Sequence, residues 1–445
     1  MRKSNLLKEY LNKLKNLDLI LILSTLILIA IGILVLFSLT FNSKLNQDLL
    51  WNKQLIYSLI SFVVMIGIAC LDFNKIKKYA LIFYGFSLGL LVVVLFYSKA
   101  IRNVHSWLSV AGLSFQPSEV AKISTILLLA SYLASKSNRI KEFNYLILPF
   151  IIILIPSFLI LKQPDLGTAL VFLPFMFIMI YVTGADKTLI CGLLIAGILA
   201  ITITLLGAFI EIKLKHRVEL NTLTFLNYYK WKVLIGLILI VFVISILSKL
   251  FKEAISSLKT TLVYFLSLAT GVTSALFVFN FLKDYQKKRL LVFIDPSIDP
   301  LGYGYNIIQS KAAIGSGKLF GKGFLSATQT RLGFLPEQQA DFIFSVIGEE
   351  FGLIGLLIVL FLFGVIIFRG LYLTCLAKND FEFLVGIGVI SLIAVQMIIN
   401  VGVSTGIIPA TGLPLPFVSY GGSSLFVFMM GIGLLLGIKN QKPLE

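Results

Sequence analysis

Residues 19–39 read LILILSTLILIAIGILVLFSL, an apolar run without a single charged side chain. A helix of about 20 apolar residues spans the hydrocarbon core of a bilayer, which is about 30 Å thick. The run is longer than the apolar core of a signal peptide, and no small-residue cleavage site follows it. We therefore predict a retained transmembrane helix.

Similar runs along the rest of the chain predict an all-α polytopic membrane protein. Hydrophobic residues make up 58% of the 445 residues, and charged residues only 13%. An outer-membrane barrel would show short alternating strands instead, so we predict a bundle of about twelve transmembrane helices. The predicted spans are 19–39, 54–71, 80–97, 118–134, 145–161, 166–183, 188–210, 231–248, 258–282, 342–368, 382–403 and 422–438.

The connections between most spans are short, so we interpret residues 1–445 as a single membrane domain. Residues 211–282 look like an insertion that holds two extra spans. An inserted pair keeps the orientation of everything that follows it. Residues 283–341 form a long loop before the tenth span.

Basic residues predict the orientation of the bundle. Five of them lie between Arg2 and Lys15, and the C-terminal tail carries Lys439 and Lys442, so both termini are expected in the cytoplasm. The loop 283–341 is then extracytoplasmic. It is basic too, but long loops translocate largely regardless of charge. Its cations suit an anionic partner or lipid headgroups, and nucleic-acid binding is a poor explanation because no basic soluble domain is present.

Polar residues concentrate at the starts of four even-numbered spans. All four spans run from outside to inside, so their N-termini face the outer surface. Helix N-termini carry unpaired N–H groups and partial positive charge, which together favour phosphate. The four polar segments are Gln116-Pro117-Ser118-Glu119 with Lys122, Gln163-Pro164-Asp165-Leu166-Gly167-Thr168, Leu335-Pro336-Glu337 with Asp341, and Tyr420-Gly421-Gly422-Ser423-Ser424.

These polar groups also have structural interpretations. Glu119 and Lys122 are three residues apart on one helix face and can pair with each other or with Asp165. The serines of the fourth segment can cap a helix. Trp107 can be an interfacial anchor.

Asp341 lies between the basic loop and the tenth span, beside Glu337. A carboxylate at a wet interface near cations is placed to accept a proton from an incoming hydroxyl, as a general base does. The alternative is that Asp341 caps the helix that follows.

The four segments, in this order, resemble the SEDS family (shape, elongation, division and sporulation proteins, which include RodA, FtsW and SpoVE). The resemblance covers nearly the whole chain except the insertion. Within the family it is closer to RodA, the elongation member, because of Gly321-Lys322-Gly323-Phe324, Thr328-Gln329-Thr330 and Leu415. The stretches that carry the family resemblance are QPSEVAK at 116–122, KQPDLGT at 162–168, LPE at 335–337 with DFIFSVIGEE at 341–350, and PLPFVSYGGSS at 414–424.

The resemblance implies an inverting glycosyltransferase that polymerises lipid II into peptidoglycan during cell-wall elongation and shape maintenance. It implies a place in the bacterial inner membrane with an outward-facing active site. It also implies a class B penicillin-binding protein as transpeptidase partner, with other elongation-complex membrane proteins and membrane lipids around it. The family's essential loop aspartate maps onto Asp341, and its membrane Glu, Lys and Asp map onto Glu119, Lys122 and Asp165.

Two positions depart from the family pattern. Gln339 and Ala340 replace a common His-Thr pair, and Ser106 replaces a basic residue before Trp107. No dedicated metal cage is evident, so Mg²⁺ or Mn²⁺ is expected only through substrate pyrophosphate. The candidates for binding pyrophosphate or shaping the site are Arg102, Trp107, Gln116, Ser118, Glu119, Lys122, Lys162, Gln163, Asp165, Thr168, Gln309, Lys318, Glu337, Ser419, Ser423 and Ser424.

Two other functions stay open. A lipid II flippase or transporter would suit the intramembrane charges Glu119, Lys122 and Asp165, although transporters place polar groups near the midplane and often have repeated halves. A non-catalytic scaffold of the wall-synthesis complex would tolerate the change Asp341→Asn.

Overall fold

The computed structural model describes residues 17–41, 50–97, 106–110, 113–140, 142, 144–215, 258–281, 292–302, 304–329 and 334–440. Within these ranges, eight helices are long and apolar enough to cross a membrane, and two shorter apolar helices accompany them. The prediction of an all-α polytopic membrane protein is confirmed. The count of twelve spans stays a prediction, because the span at 231–248 lies outside the described residues.

The helix boundaries lie close to most of the predicted spans. A short antiparallel hairpin of β1 (Leu108–Val110) and β2 (Leu113–Phe115) comes before the fourth helix. The helices are α1 (Leu19–Thr40), α2 (Leu50–Ala69), α3 (Phe73–Tyr97), α4 (Pro117–Lys136), α5 (Asn144–Lys162), α6 (Leu166–Val182), α7 (Lys187–Lys215), α8 (Leu258–Phe281), α9 (Tyr305–Ser316), α10 (Ile343–Cys375), α11 (Asp380–Thr405) and α12 (Gly422–Asn440).

Two elements differ from the expectation. Helix α3 begins at Phe73 rather than at residue 80, because lysines are good helix formers and the Asp72 carboxylate accepts a hydrogen bond from the Asn74 N–H at 2.9 Å. Helix α9 lies inside the loop 283–341. It has 12 residues, too few for a span, so it lacks the long apolar run by which a transmembrane helix is predicted.

The chain divides into two compact units, residues 1–184 with 306–445 and residues 185–305. The second unit contains α7 and α8, which pack closely through small residues. A Cβ added at Gly192 would meet the Ser267 side chain, and one added at Gly271 would meet the backbone of Ala196. Small residues of this kind let membrane helices approach each other.

Helix α4 is almost fully buried in the first unit, where it packs against α3, α5 and α11. It carries more polar side chains than its neighbours, and it is not among the eight helices that qualify as membrane spans by composition. By contrast, α2, α3 and α5 expose large apolar side chains such as Leu59, Phe86 and Phe158. The surrounding helices therefore present the apolar surface that a bilayer requires, and α4 can hold polar groups inside.

At the end of the bundle away from the starts of α4, α6 and α12, an ion-pair cluster joins three helices. Asp18 caps α1 and accepts a bidentate pair from Arg369 of α10, with Nη2 at 2.7 Å from Oδ2. Lys439 of α12 lies 3.7 Å from the same oxygen. Since Asp18 is buried, this pairing compensates its charge.

Candidate functional site

The first, second and fourth polar segments meet at the starts of α4, α6 and α12. Gln116 links them, because its Nε2 donates to Asp165 Oδ2 at 3.1 Å and its backbone N–H donates to Ser423 Oγ at 3.0 Å. Asp165 also caps α6 by accepting from the Thr168 N–H at 3.0 Å and from Thr168 Oγ1 at 2.8 Å. Three helix N-termini are thereby held together by side chains of the segments themselves.

The third segment, with Asp341, joins this group through the loop between α11 and α12. A Cβ added at Gly412 would lie 3.7 Å from Asp341 Oδ2, so the carboxylate lies beside this glycine. Gly412 has a φ of +77°, a conformation that favours glycine. The same loop approaches α6, where a Cβ at Gly167 would collide with the Thr411 carbonyl. All four polar segments therefore lie close together.

Asp341 is half-buried and lies just before α10. The N-cap residue of that helix is Phe342, whose side chain makes no capping hydrogen bond. Asp341 is therefore not the N-cap residue, and its carboxylate lies beside Gly412.

The backbone around Asp341 is fixed by side chains from other helices. Asn400 Nδ2 of α11 donates to the Asp341 carbonyl at 2.9 Å and to the Leu413 carbonyl at 2.8 Å. Ser419 Oγ donates to the Ala340 carbonyl and accepts from the Leu415 N–H. These bonds fix the segment before Asp341 against the loop that contains Gly412.

Glu119 and Lys122 pair with each other rather than with Asp165. Their atoms Oε1 and Nζ are 2.7 Å apart, and the side chains are 2% and 0% exposed. Lys122 also donates to Gln396 Oε1 of α11 at 2.9 Å and lies 5.7 Å from the centre of the Phe428 ring. The pair links α4 to α11 and α12 inside the bundle, which favours a role in fixing the shape of the site.

Three residues of the site were missed from the sequence, and all are amides in apolar helices: Gln54, Gln396 and Asn400. Gln54 of α2 donates to the Ser419 carbonyl and accepts from the Gly421 N–H, both at 3.2 Å. Gln396 and Asn400 are four residues apart on one face of α11, and Gln396 donates to the Pro414 carbonyl at 3.0 Å. That spacing of polar residues in an apolar helix was the available signal.

The remaining predicted residues fall into two groups. Gln163 and Ser118 are buried beside the segments, and Gln163 Nε2 donates to the Leu91 carbonyl of α3 at 3.1 Å. Ser424 is buried at the start of α12. The second group takes no part in the hydrogen bonds described above. It comprises exposed Lys162, whose ammonium lies over the Phe158 ring, exposed Lys318, and half-buried Trp107, Gln309 and Glu337. Arg102 lies outside the described residues.

The helix N-termini and the hydroxyl of Tyr420 contribute to the electrostatics of the site. Burial, and secondarily the neighbouring Tyr57, raise the pKa of Tyr420 above its ordinary value of 10.0. Its hydroxyl therefore stays protonated at neutral pH and can donate a hydrogen bond. Among the described residues, no group of three His, Cys, Asp or Glu side chains could hold a metal ion.

Comparison with known proteins gives consistent matches over the whole length. The family model described as cell cycle protein, covering FtsW, RodA and SpoVE, matches residues 18–231 and 232–443. Peptidoglycan glycosyltransferase RodA of Treponema pallidum is 34% identical over 441 residues, 96% of this chain and 98% of the relative. Peptidoglycan glycosyltransferase MrdB of Escherichia coli is 31% identical over 421 residues, 94% of each chain.

A solved structure shares the fold. It comes from work on the structural coordination of polymerization and crosslinking by a peptidoglycan synthase complex. The match has a TM-score of 0.65 and 26% identity, and it covers 95% of this chain and 97% of the other.

Proposed function

Because the chain belongs to the FtsW/RodA/SpoVE family of cell cycle proteins, we propose that it is a peptidoglycan glycosyltransferase that polymerises lipid II into glycan strands. One observation carries the proposal. Four polar segments, far apart in the chain, come together around the half-buried carboxylate of Asp341. The chain is a multi-pass membrane protein, which suits a substrate whose lipid stays in the bilayer.

Asp341 is the proposed general base. The donor is a glycan strand on a lipid pyrophosphate, and the acceptor is a sugar hydroxyl of a new lipid II. Asp341 takes the hydroxyl proton while the acceptor oxygen bonds to the anomeric carbon and the bond to pyrophosphate breaks with inversion. A well-placed general base contributes about 10²–10⁴-fold to such a step.

The leaving pyrophosphate needs stabilisation as its charge develops. The joined N-termini of α4, α6 and α12 supply oriented N–H groups and partial positive charge. Lys318 and Arg102 are the proposed cations of the outer surface. A divalent cation, Mg²⁺ or Mn²⁺, would bind through the pyrophosphate of the substrate, which requires few protein ligands.

We also propose a setting for the reaction. The relatives named RodA and MrdB support a role in elongation and cell shape. The neighbouring synthase complex, which couples polymerization to crosslinking, supports a class B penicillin-binding protein as partner. Both termini would lie in the cytoplasm and the Asp341 site at the outer face of the inner membrane.

The test is formation of glycan polymer from labelled lipid II by the purified full-length protein, with and without the transpeptidase. Polymer that a muramidase degrades is the expected result. If no polymer forms where a known polymerase works on the same substrate, the protein is not a polymerase. Movement of labelled lipid II across a vesicle membrane would then favour the flippase, and no movement the scaffold.

A further inference from the structure

A buried carboxylate on α10 collects hydrogen bonds from a neighbouring turn. Glu349 is fully buried, and its Oε1 accepts from the backbone N–H groups of Thr328 and Gln329, both at 2.8 Å. Lys322 Nζ lies 2.8 Å from the same oxygen. Charge-assisted bonds of this kind are stronger than neutral ones, and the lysine compensates a charge that burial would otherwise disfavour.

The backbone of the same turn is built into a break in α10. The break is at Gly352, where φ is +65°. Before it, Lys322 N–H donates to the Glu349 carbonyl at 2.9 Å. After it, Leu353 N–H donates to the Lys318 carbonyl at 2.9 Å. A Cβ at Gly352 would collide with the backbone of the turn, so only glycine permits this close approach.

The turn that Glu349 holds comes shortly before the Asp341 segment in the chain. Gln329 is twelve residues before Asp341 in the chain, and Glu349 is eight residues after it. Leu335, within this stretch, packs against Phe342 and Val403. The chain that approaches Asp341 is therefore held at its far end by a side chain of the helix that Asp341 precedes.

We propose that Glu349 is a positioning residue that anchors residues 317–329 to α10 and thereby holds Asp341 in its reactive position. The effect on the reaction rests on the proposed function, whereas the anchor does not. The inference gives a purpose to two stretches that the catalytic site does not use, Gly321-Lys322-Gly323-Phe324 and Thr328-Gln329-Thr330.

The chain offers a matched control in the next residue. Glu350 is also a buried carboxylate of α10, but its Oε1 accepts a hydrogen bond from Ser38 of α1. Its backbone carbonyl accepts a hydrogen bond from the Gly323 N–H of the turn. The change Glu350→Gln alters the same chemistry at the same depth and leaves the Glu349 side chain in place.

The first measurement is amide hydrogen exchange of the full-length protein in lipid nanodiscs. Glu349→Gln keeps an acceptor oxygen but loses the charge, and Glu349→Ala loses both. We expect exchange at Thr328 and Gln329 to be about tenfold faster in Glu349→Ala and intermediate in Glu349→Gln. Exchange in Glu350→Gln should match the parent. Unchanged exchange in both Glu349 variants would overturn the proposal.

The second measurement is the rate of lipid II polymerisation per folded protein. A positioning role lowers kcat about tenfold in Glu349→Ala with little change in KM, and Glu349→Gln recovers part of it. A purely structural role would reduce the amount of folded protein and leave both constants of that fraction unchanged. Faster exchange with parental kcat would also overturn the proposal. If the parent makes no polymer, the proposed function fails, and exchange alone still decides whether the anchor exists.

Discussion

Replacing Asn400 with Leu removes the amide that holds the backbone of Asp341 in place. Asn400 Nδ2 donates to two carbonyls, the partly buried one of Asp341 and the buried one of Leu413. Its Oδ1 accepts no hydrogen bond from the described residues. Leu has nearly the same volume, so the change removes two hydrogen bonds and leaves little cavity.

The magnitude follows from these two bonds. A buried carbonyl that loses its donor costs about 1–3 kcal/mol, and interhelical bonds measured in membranes average about 0.6 kcal/mol. Two bonds therefore contribute roughly 2 kcal/mol, which exceeds the ~1.4 kcal/mol of a tenfold change in rate. Because they hold Asp341 and the loop of Gly412 together, we expect kcat for polymerisation to fall about tenfold or more.

The assay compares Asn400→Leu with Asn440→Leu. Asn440 of α12 is also buried and donates to one backbone carbonyl, that of Ala69 at 3.2 Å, at the other end of the bundle. The melting temperature should fall in both variants, but kcat for polymerisation should fall only in Asn400→Leu. Parental kcat in a folded Asn400→Leu protein would refute the view that this amide positions the catalytic segment.

Three further changes test other parts of the account. Burial raises the pKa of Asp18, but the hydrogen bonds from Arg369 and the Leu21 N–H, together with the charges of Arg369 and Lys439, outweigh it and hold the pKa below its ordinary value of 3.8. The lowered pKa stabilises the folded protein above pH 3.8. This stabilisation is lost as the pH falls through the lower pKa that Asp18 has in the folded state. The melting temperature of the parent should therefore fall in this acidic range, and that of Asp18→Asn should not show this fall. Lys122→Met leaves the buried Glu119 carboxylate without its cation. It should lower the free energy of unfolding by about 3–5 kcal/mol, with partial recovery when Glu119→Gln is added. Gly352→Ala should lower the melting temperature by the equivalent of at least 1–3 kcal/mol, because φ is +65° and the Cβ meets backbone; an unchanged melting temperature would contradict the break in α10.

The spans could be predicted from sequence because an apolar run of bilayer length is a local property. Helix α1 was expected at 19–39 and lies at Leu19–Thr40. Helix α9 was not found, because twelve residues of mixed polarity carry no such signal. The start of α3 was misplaced because its lysines indicated a loop, whereas they also extend a helix.

The site could be predicted only where its polar residues are neighbours in the chain. The stretch from Gln116 to Glu119 was recognisable as a unit. Gln54 was not, because it is a single amide whose partners, Ser419 and Gly421, are 365 and 367 residues away. The contact between Glu349 and the turn could not be predicted for a similar reason, since the Thr328 and Gln329 N–H groups lie 21 and 20 residues earlier in the chain.

The assignment of Asp341 as the general base is tested by comparing the polymerisation rates of Asp341→Asn and Asp380→Asn. Both changes replace a carboxylate with an amide, and Asp380 is exposed in the first turn of α11, away from the site. We expect folded Asp341→Asn to polymerise labelled lipid II at least about 100-fold more slowly than the parent, and Asp380→Asn to match the parent. Polymerisation by Asp341→Asn at the parental rate would contradict the assignment of Asp341 as the general base.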